Sequence, residues 1–271
     1  MVYTLSFSSV AIIVGGIVVA LATVALMRWL LPTRVLLGAQ SVTGNVLSIV
    51  GTLYAVLLGL IVVDAMVHFE RAMEGVQQES NCLADIFLLA DRLPEPQRSR
   101  VRELCRAYAN QVAEGEWPRM AEGRMSVEAR RTALALAKAL DDFEPVTEAQ
   151  KTVFPLVLEQ ARQLWDERRD RANATQYGIP AVEWFALLVG AAVMVIFVGL
   201  FSVEHAGLQY LLTTLATLVI GLNLYLVWLF AYPFAGDLTV SNRPFLLDVG
   251  IFEGLFEEGP AHDGESADRP R

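Results

Sequence analysis

The sequence predicts an all-α integral membrane protein, with four transmembrane helices in two hairpins flanking a helical, charged extramembrane domain. Three observations lead there. Of the 51 charged side chains (21 basic plus 30 acidic), 35 fall in residues 70–178 and 11 in residues 233–271. The other 123 positions hold only five, Arg28, Arg34, Asp64, Glu183 and Glu204. A soluble globular surface needs polar groups along its whole length, so ordinary soluble composition does not segregate charge this way. Four apolar windows are also long enough to cross a hydrocarbon core of ~30 Å, which takes ~20 helical residues. Finally, the charged insertion repeats its apolar positions at helical spacing.

The first hairpin occupies residues 1–68, with spans at 7–31 and 44–68. Lipid cannot satisfy free backbone groups, so each span must be a helix. Ala20, Leu21 and Ala22 look like a signal-cleavage pattern. No Lys or Arg precedes the run, however, and it exceeds a signal h-region, so the span is expected to be retained. Pro32 and Gly38 mark a turn that makes the first two spans antiparallel neighbours.

Phe69, Met73, Val76, Ser80, Leu83, Phe87 and Ala90 follow at 4,3 spacing with no breaker, which continues the second span as one amphipathic helix. Pro94 and Pro96 end it. A helix with Val101, Cys105, Tyr108 and Val112 on one face follows, then a looser stretch at 115–125. Ser126 caps a third helix, and Thr147 a fourth whose apolar stripe is read as Phe154, Leu158, Ala161 and Trp165. Pro155 either kinks that helix or sets its start. The extramembrane domain so defined covers 69–178.

The second hairpin, 179–232, has spans at 181–201 and 208–232. A segment at 233–256 is expected to be ordered, and the acidic, apolar-poor tail 257–271 disordered. Arg71, Arg168, Arg169, Arg171 and Arg243 lie near span ends on the side of the domain and both termini, against Arg28 and Arg34 opposite. The positive-inside rule therefore places the domain and both termini in the cytoplasm of a multi-pass cell-membrane protein. Arg168, Arg169 and Arg171 suit lipid head groups there, and a solvated, internally paired helix face explains them as well.

A net charge of −9 argues against nucleic acid. Cys82 and Cys105 stand 23 apart with no metal-knuckle grouping, which reads as buried small hydrophobes. The sequence has no GxSxG, GxxxxGK[ST], HExxH or GxGxxG motif, so neither an enzyme nor a cofactor is expected. Asp64 and His68 share a helix face, read first as a boundary pair bonded to a neighbouring helix and second as two metal ligands or a proton-relay pair. Asn223, Thr213 and Thr217 are expected to bond across helices.

Gly51, Ala55 and Gly59 form a small-residue stripe for close helix packing. Leu53, Leu57, Leu60 and Ile61 lie on another side, for lipid, a partner or a constriction, with Asp64 below. Residues 53–64 (LYAVLLGLIVVD), 76–83 (VQQESNCL) with Arg92, Leu93 and Pro94, and 232–245 (YPFAGDLTVSNRPF) resemble the bestrophin-like membrane proteins of bacteria and plants. Glu79, Pro233, Phe234 and Gly236 are the motif positions, and the resemblance covers about 10–250. It implies a homo-oligomer, pentameric by kinship with bestrophins, whose second span lines a pore for small anions, with Leu53, Leu57, Leu60 and Asp64 as the candidate lining. The chain departs from bestrophins at His68, Phe69, Glu70 and Arg71, where they carry Arg-Trp-Trp. The alternative reading is a non-conducting scaffold whose helical domain binds a protein through surface aromatics such as Trp117 and Trp165.

Overall fold

The computed structural model describes residues 2–3, 7–30, 38, 40–176, 178–201, 203 and 205–254. The expectations resting on Pro32, Arg34, Glu204 and the tail 257–271 lie outside them. Nearly everything described is helical. In chain order the helices are α1 (Phe7–Leu30), α2 (Gln40–Leu89), α3 (Gln97–Asn110), α4 (Trp117–Met120), α5 (Val127–Asp141), α6 (Glu148–Gln176), α7 (Ala181–Leu200), α8 (Ala206–Ala231) and α9 (Arg243–Phe252). Four of the described helices are long and apolar enough to cross a membrane. Among the described residues one strand pairing forms, antiparallel, β1 (Val2–Tyr3) with β2 (Leu238–Thr239).

Local chemistry accounts for the boundaries. No Pro interrupts α2, which therefore runs unbroken past the expected span end and tightens into a 3₁₀ turn at Ala90–Arg92 before Pro94. Ser126 Oγ accepts the Ala129 N–H at 3.3 Å, and Thr147 Oγ1 the Gln150 N–H at 3.2 Å, the two expected caps. Gln111–Glu116 forms a wide π-type turn, so the irregular stretch begins before 115. Pro155 lies inside α6, which already starts at Glu148, so it does not set the start.

The chain divides into two compact units. The first comprises Met1–Gly75, Met120–Arg124 and Asp170–Ser241. Its core on α2 is Tyr54, Leu58 and Ile61, packed with Leu187 and Val227. Ile61 is thus buried, not on the open side with Leu53. Tyr54 Oη donates to the Leu187 carbonyl at 3.1 Å, and a Cβ on Gly190 would collide with the Tyr54 ring. The close backbone neighbours of α1 are α8 and α7, whereas the expected neighbour was α2. Glycine decides this: Gly199 lets Val24 and Met27 close in, and Gly221 faces Ile13. In the absence of water, small residues set how near two helices come.

The second unit comprises Val76–Arg119, Met125–Arg169 and Asn242–Arg271. Leu83, Ile86, Val101, Cys105, Tyr108, Leu136, Leu140, Val157 and Leu164 are among its buried residues. Helix α9 belongs to this unit through Phe245 and Phe252, the latter stacked on Phe87 with centroids 4.1 Å apart. The buried stripe of α6 is Phe154, Val157, Ala161 and Leu164, so the expected Leu158 and Trp165 are only half-buried. The observed 3,4,3 spacing is the same heptad taken in another phase.

Candidate functional site

At 3.6 residues per turn, the 4,3,4 spacing of Leu53, Leu57, Leu60 and Asp64 puts them on one face of α2. That face lies to one side of Tyr54, Leu58 and Ile61, and no described residue of the unit covers it. Leu53 and Leu60 are 67% and 66% exposed, Leu57 is 38% exposed, and Asp64 is exposed as well. Near the end of a span a carboxylate still disfavours acyl chains, though at less than the ~2.5–3.5 kcal/mol of mid-span burial. The face is thus open within the unit and carries a carboxylate at its inner end.

The small-residue stripe divides. A Cβ on Gly51 would sit 3.3 Å from Met194 Cε, so Gly51 is used within the chain against α7. Ala55 is exposed, and a Cβ on Gly59 would meet open space. His68 is half-buried, and its Nε2 is enclosed without a hydrogen-bond partner, so the expected bond to a neighbouring helix is not made through that atom. Asn223 and Thr213 also depart from expectation, donating at 2.9 Å to Val219 and Gln209 of their own helix. A carbonyl four residues back satisfies such donors with no partner helix.

The 232–245 motif builds a tight corner after α8. Pro233 and Phe234 are buried, and the Pro233 carbonyl accepts the Val240 N–H at 2.8 Å. Gly236 has φ +95°, and a Cβ there would lie 3.0 Å from Trp228 Cη2, so both backbone and space require glycine. Buried Asp237 accepts from Ser9 Oγ at 2.5 Å and Tyr225 Oη at 2.8 Å, tying α1, α8 and the corner together. Beside it, α1, α7 and α8 line a half-open apolar groove of about 600 Å³, where small residues such as Gly16, Ala20, Ala191 and Gly221 leave room.

In the second unit the arginine run is corrected. Arg168 is 4% exposed and grips Glu116 bidentately, Nη1 to Oε1 at 2.9 Å and Nη2 to Oε2 at 2.7 Å. It also donates to Tyr108 Oη at 3.0 Å, and Tyr108 donates to buried Glu79. Arg171, of the first unit, is 1% exposed and donates to Met120 Sδ at 3.0 Å. The physical reason is periodicity: 154, 157, 161, 164, 168 and 171 form one stripe, so these two arginines continue the buried face of α6. Only Arg169 of the three is exposed and open to a head group.

Ser80 Oγ donates to buried Asp248 at 2.6 Å, and burial pushes that carboxyl up to about 7 against the lowering effect of the serine bond. Burial also pushes the Cys82 thiol up to about 11 and Cys105 higher still, in keeping with their reading as small hydrophobes. Sequence reasoning missed Glu116, Asp237 and Asp248. Glu116 had no signal, because its partner lies 52 residues away. Trp117, half-buried like Trp165, packs against Phe245 at 6.2 Å between centroids, so each of these aromatics offers only part of its ring to a partner.

A family model for the bestrophin-like domain matches residues 14–245. No curated protein matches the chain. Among solved structures, a bacterial bestrophin homolog from Klebsiella pneumoniae, phased by zinc anomalous scattering, is similar at TM-score 0.69 and 10% identity, over 92% of this chain and 100% of that one. Two substituted forms of that homolog give TM-scores of 0.72 and 0.68 at 11% and 10% identity. The first covers 92% of this chain and 100% of its own, the second 89% and 99%. At such identity the likeness is one of fold.

Proposed function

The chain belongs to the bestrophin-like family, and from that premise we propose that it is a homo-oligomeric membrane pore with α2 around the axis. One observation carries the reading: an uncovered apolar face on α2 that ends in an exposed carboxylate. Lipid suits Leu53, Leu57 and Leu60 but not Asp64. A water-filled lumen suits both, with the leucines as an apolar neck that gates by dewetting and Asp64 in the wet mouth beyond it. Ala55 and Gly59 are then free for a neighbouring subunit's close approach, and the family kinship favours five subunits. The helical unit and both termini are assigned to the cytoplasm by the arginine balance, with Arg169 near the head groups.

The test is oligomeric mass in detergent together with ion flux from purified protein in liposomes. Leu57→Ser with Leu60→Ser is expected to raise flux several-fold by wetting the neck. A monodisperse monomer with no flux overturns the reading.

A further inference from the structure

The groove between α1, α7 and α8 plays no part in the proposed pore. All three helices are membrane spans, so the groove lies at bilayer depth. Its walls run from Ser9 to Thr23 on α1, from Trp184 to Ile196 on α7 and from Thr217 to Trp228 on α8, each about 17–21 Å at 1.5 Å per residue. That is a little more than half of a ~30 Å hydrocarbon core, the depth of one leaflet. The two ends differ. At one, Trp184, Tyr225 and Trp228 gather where Asp237 accepts from Ser9 and Tyr225, and amphipathic rings of this kind settle at head-group level. Towards the other the wall is mostly aliphatic, and the Thr23 hydroxyl turns back to donate to the Val19 carbonyl at 2.9 Å. Ile12, Val19 and Leu188 are exposed along its length, so the groove opens sideways.

We infer that this groove seats one acyl chain of a bilayer phospholipid, its ester end among Trp184, Tyr225 and Trp228 and its methyl end near Thr23. Volume agrees with length. A methylene takes nearly the volume of a water molecule, ~30 Å³, so about 600 Å³ holds roughly twenty of them, one chain and not two. An empty groove would deny its wall atoms dispersion partners, and lipid is the medium on its open side. A helix from a second copy fits less well. The groove exposes far less wall than the ~800 Å² per partner of a standard subunit contact. None of its described lining residues belongs to α2, the helix set around the axis. The inference stands on the spans and holds whether or not the protein conducts.

The experiment loads the full-length protein from vesicles of phosphatidylcholine whose acyl chain carries a diazirine. The protein is washed in detergent until bulk lipid is gone, illuminated, and its adducts mapped by mass spectrometry. A diazirine close to the ester should mark Trp184 and Trp228, and one at the chain end Val195 and Thr217. Gly16→Phe should lower the adduct yield several-fold, because a Cβ there meets open space and the ring fills the groove. Gly15→Phe is the matched control: its Cβ also meets open space, but Gly15 does not line the groove, so the yield should stay at the wild-type level. No adduct after washing, or adducts only on outward residues such as Val18 and Val219, overturns the inference. Labelling by a diazirine fatty acid but not by the phosphatidylcholine overturns the phospholipid as its source. Disulfide-linked dimers of Leu188→Cys, with no lipid retained, would give the groove to a second copy instead. If Gly16→Phe does not fold, Ala192→Phe, at another exposed lining residue, replaces it, and a reversed order of ester and chain-end adducts in wild type alone overturns the seating.

Discussion

Removing the counter-charge of a buried arginine is the sharpest test of the second unit. Arg168 is 4% exposed, and the Glu116 carboxylate holds both of its terminal nitrogens, at 2.9 and 2.7 Å. Glu116→Gln keeps the shape and an acceptor for the Ser126 N–H, which Glu116 now accepts at 2.8 Å. It removes the negative charge. Breaking one side of a buried pair typically costs ~3–5 kcal/mol. The glutamine amide oxygen still accepts from Arg168, so the lower end, about 3 kcal/mol, is expected. In a domain of this size that lowers the melting temperature by roughly 6 to 12 °C. The assay is thermal unfolding of detergent-purified protein, read by tryptophan fluorescence, for Glu116→Gln, Arg168→Met and the pair together. Removing both charges should recover at least half of the loss, because an apolar replacement of a buried pair is often neutral. An unchanged midpoint for Glu116→Gln, or a double variant as unstable as the sum of the singles, would refute the claim that charge pairing holds this core.

Three further outcomes are expected. Asp248 sits in the folded protein at about 7, above its unfolded value, so its contribution to stability is full below pH ~4 and is lost as pH rises through about 7; the loss is at most about 4 kcal/mol. Asp248→Asn, still able to accept from Ser80, should therefore flatten the fall in melting temperature between pH 5 and 8, and an unaltered pH profile argues against it. Gly236→Ala should cost ~1–3 kcal/mol from its φ of +95° and the Trp228 contact, whereas Gly59→Leu should leave subunit melting in place and shift the detergent mass toward monomer. Cys82 and Cys105 are fully buried with raised thiol pKa values, so maleimide labelling should wait for denaturant; rapid labelling of the native protein contradicts that burial.

Much of the membrane unit was legible because lipid leaves the chain few choices. Spans expected at 7–31, 181–201 and 208–232 correspond to helices Phe7–Leu30, Ala181–Leu200 and Ala206–Ala231. An unbroken 4,3 repeat was enough to carry the second span on as Gln40–Leu89. The caps at Ser126 and Thr147 were equally plain, since each uses an oxygen three residues from the N–H it accepts. Signals of this kind are local, and the residues that make them sit next to one another in the chain.

Partners were another matter. Periodicity tells which residues share a face but not which phase of the repeat turns inward, so Leu158 and Trp165 were favoured over Val157 and Leu164, and Arg168 and Arg171 were read as facing head groups or solvent. Only contacts across 52 and 168 residues, Arg168 with Glu116 and Ser80 with Asp248, made those groups structural. Likewise the choice of α7 and α8 as neighbours of α1 depended on where Gly199 and Gly221 met Met27, Val24 and Ile13. The sequence by itself determined the class, the spans and the isolation of Asp64 among apolar residues, because burying charge in lipid is costly wherever the chain goes. Tertiary structure decided that Asp64 shares an uncovered face with Leu53, Leu57 and Leu60, because only packing determines which side of a helix its neighbours leave open.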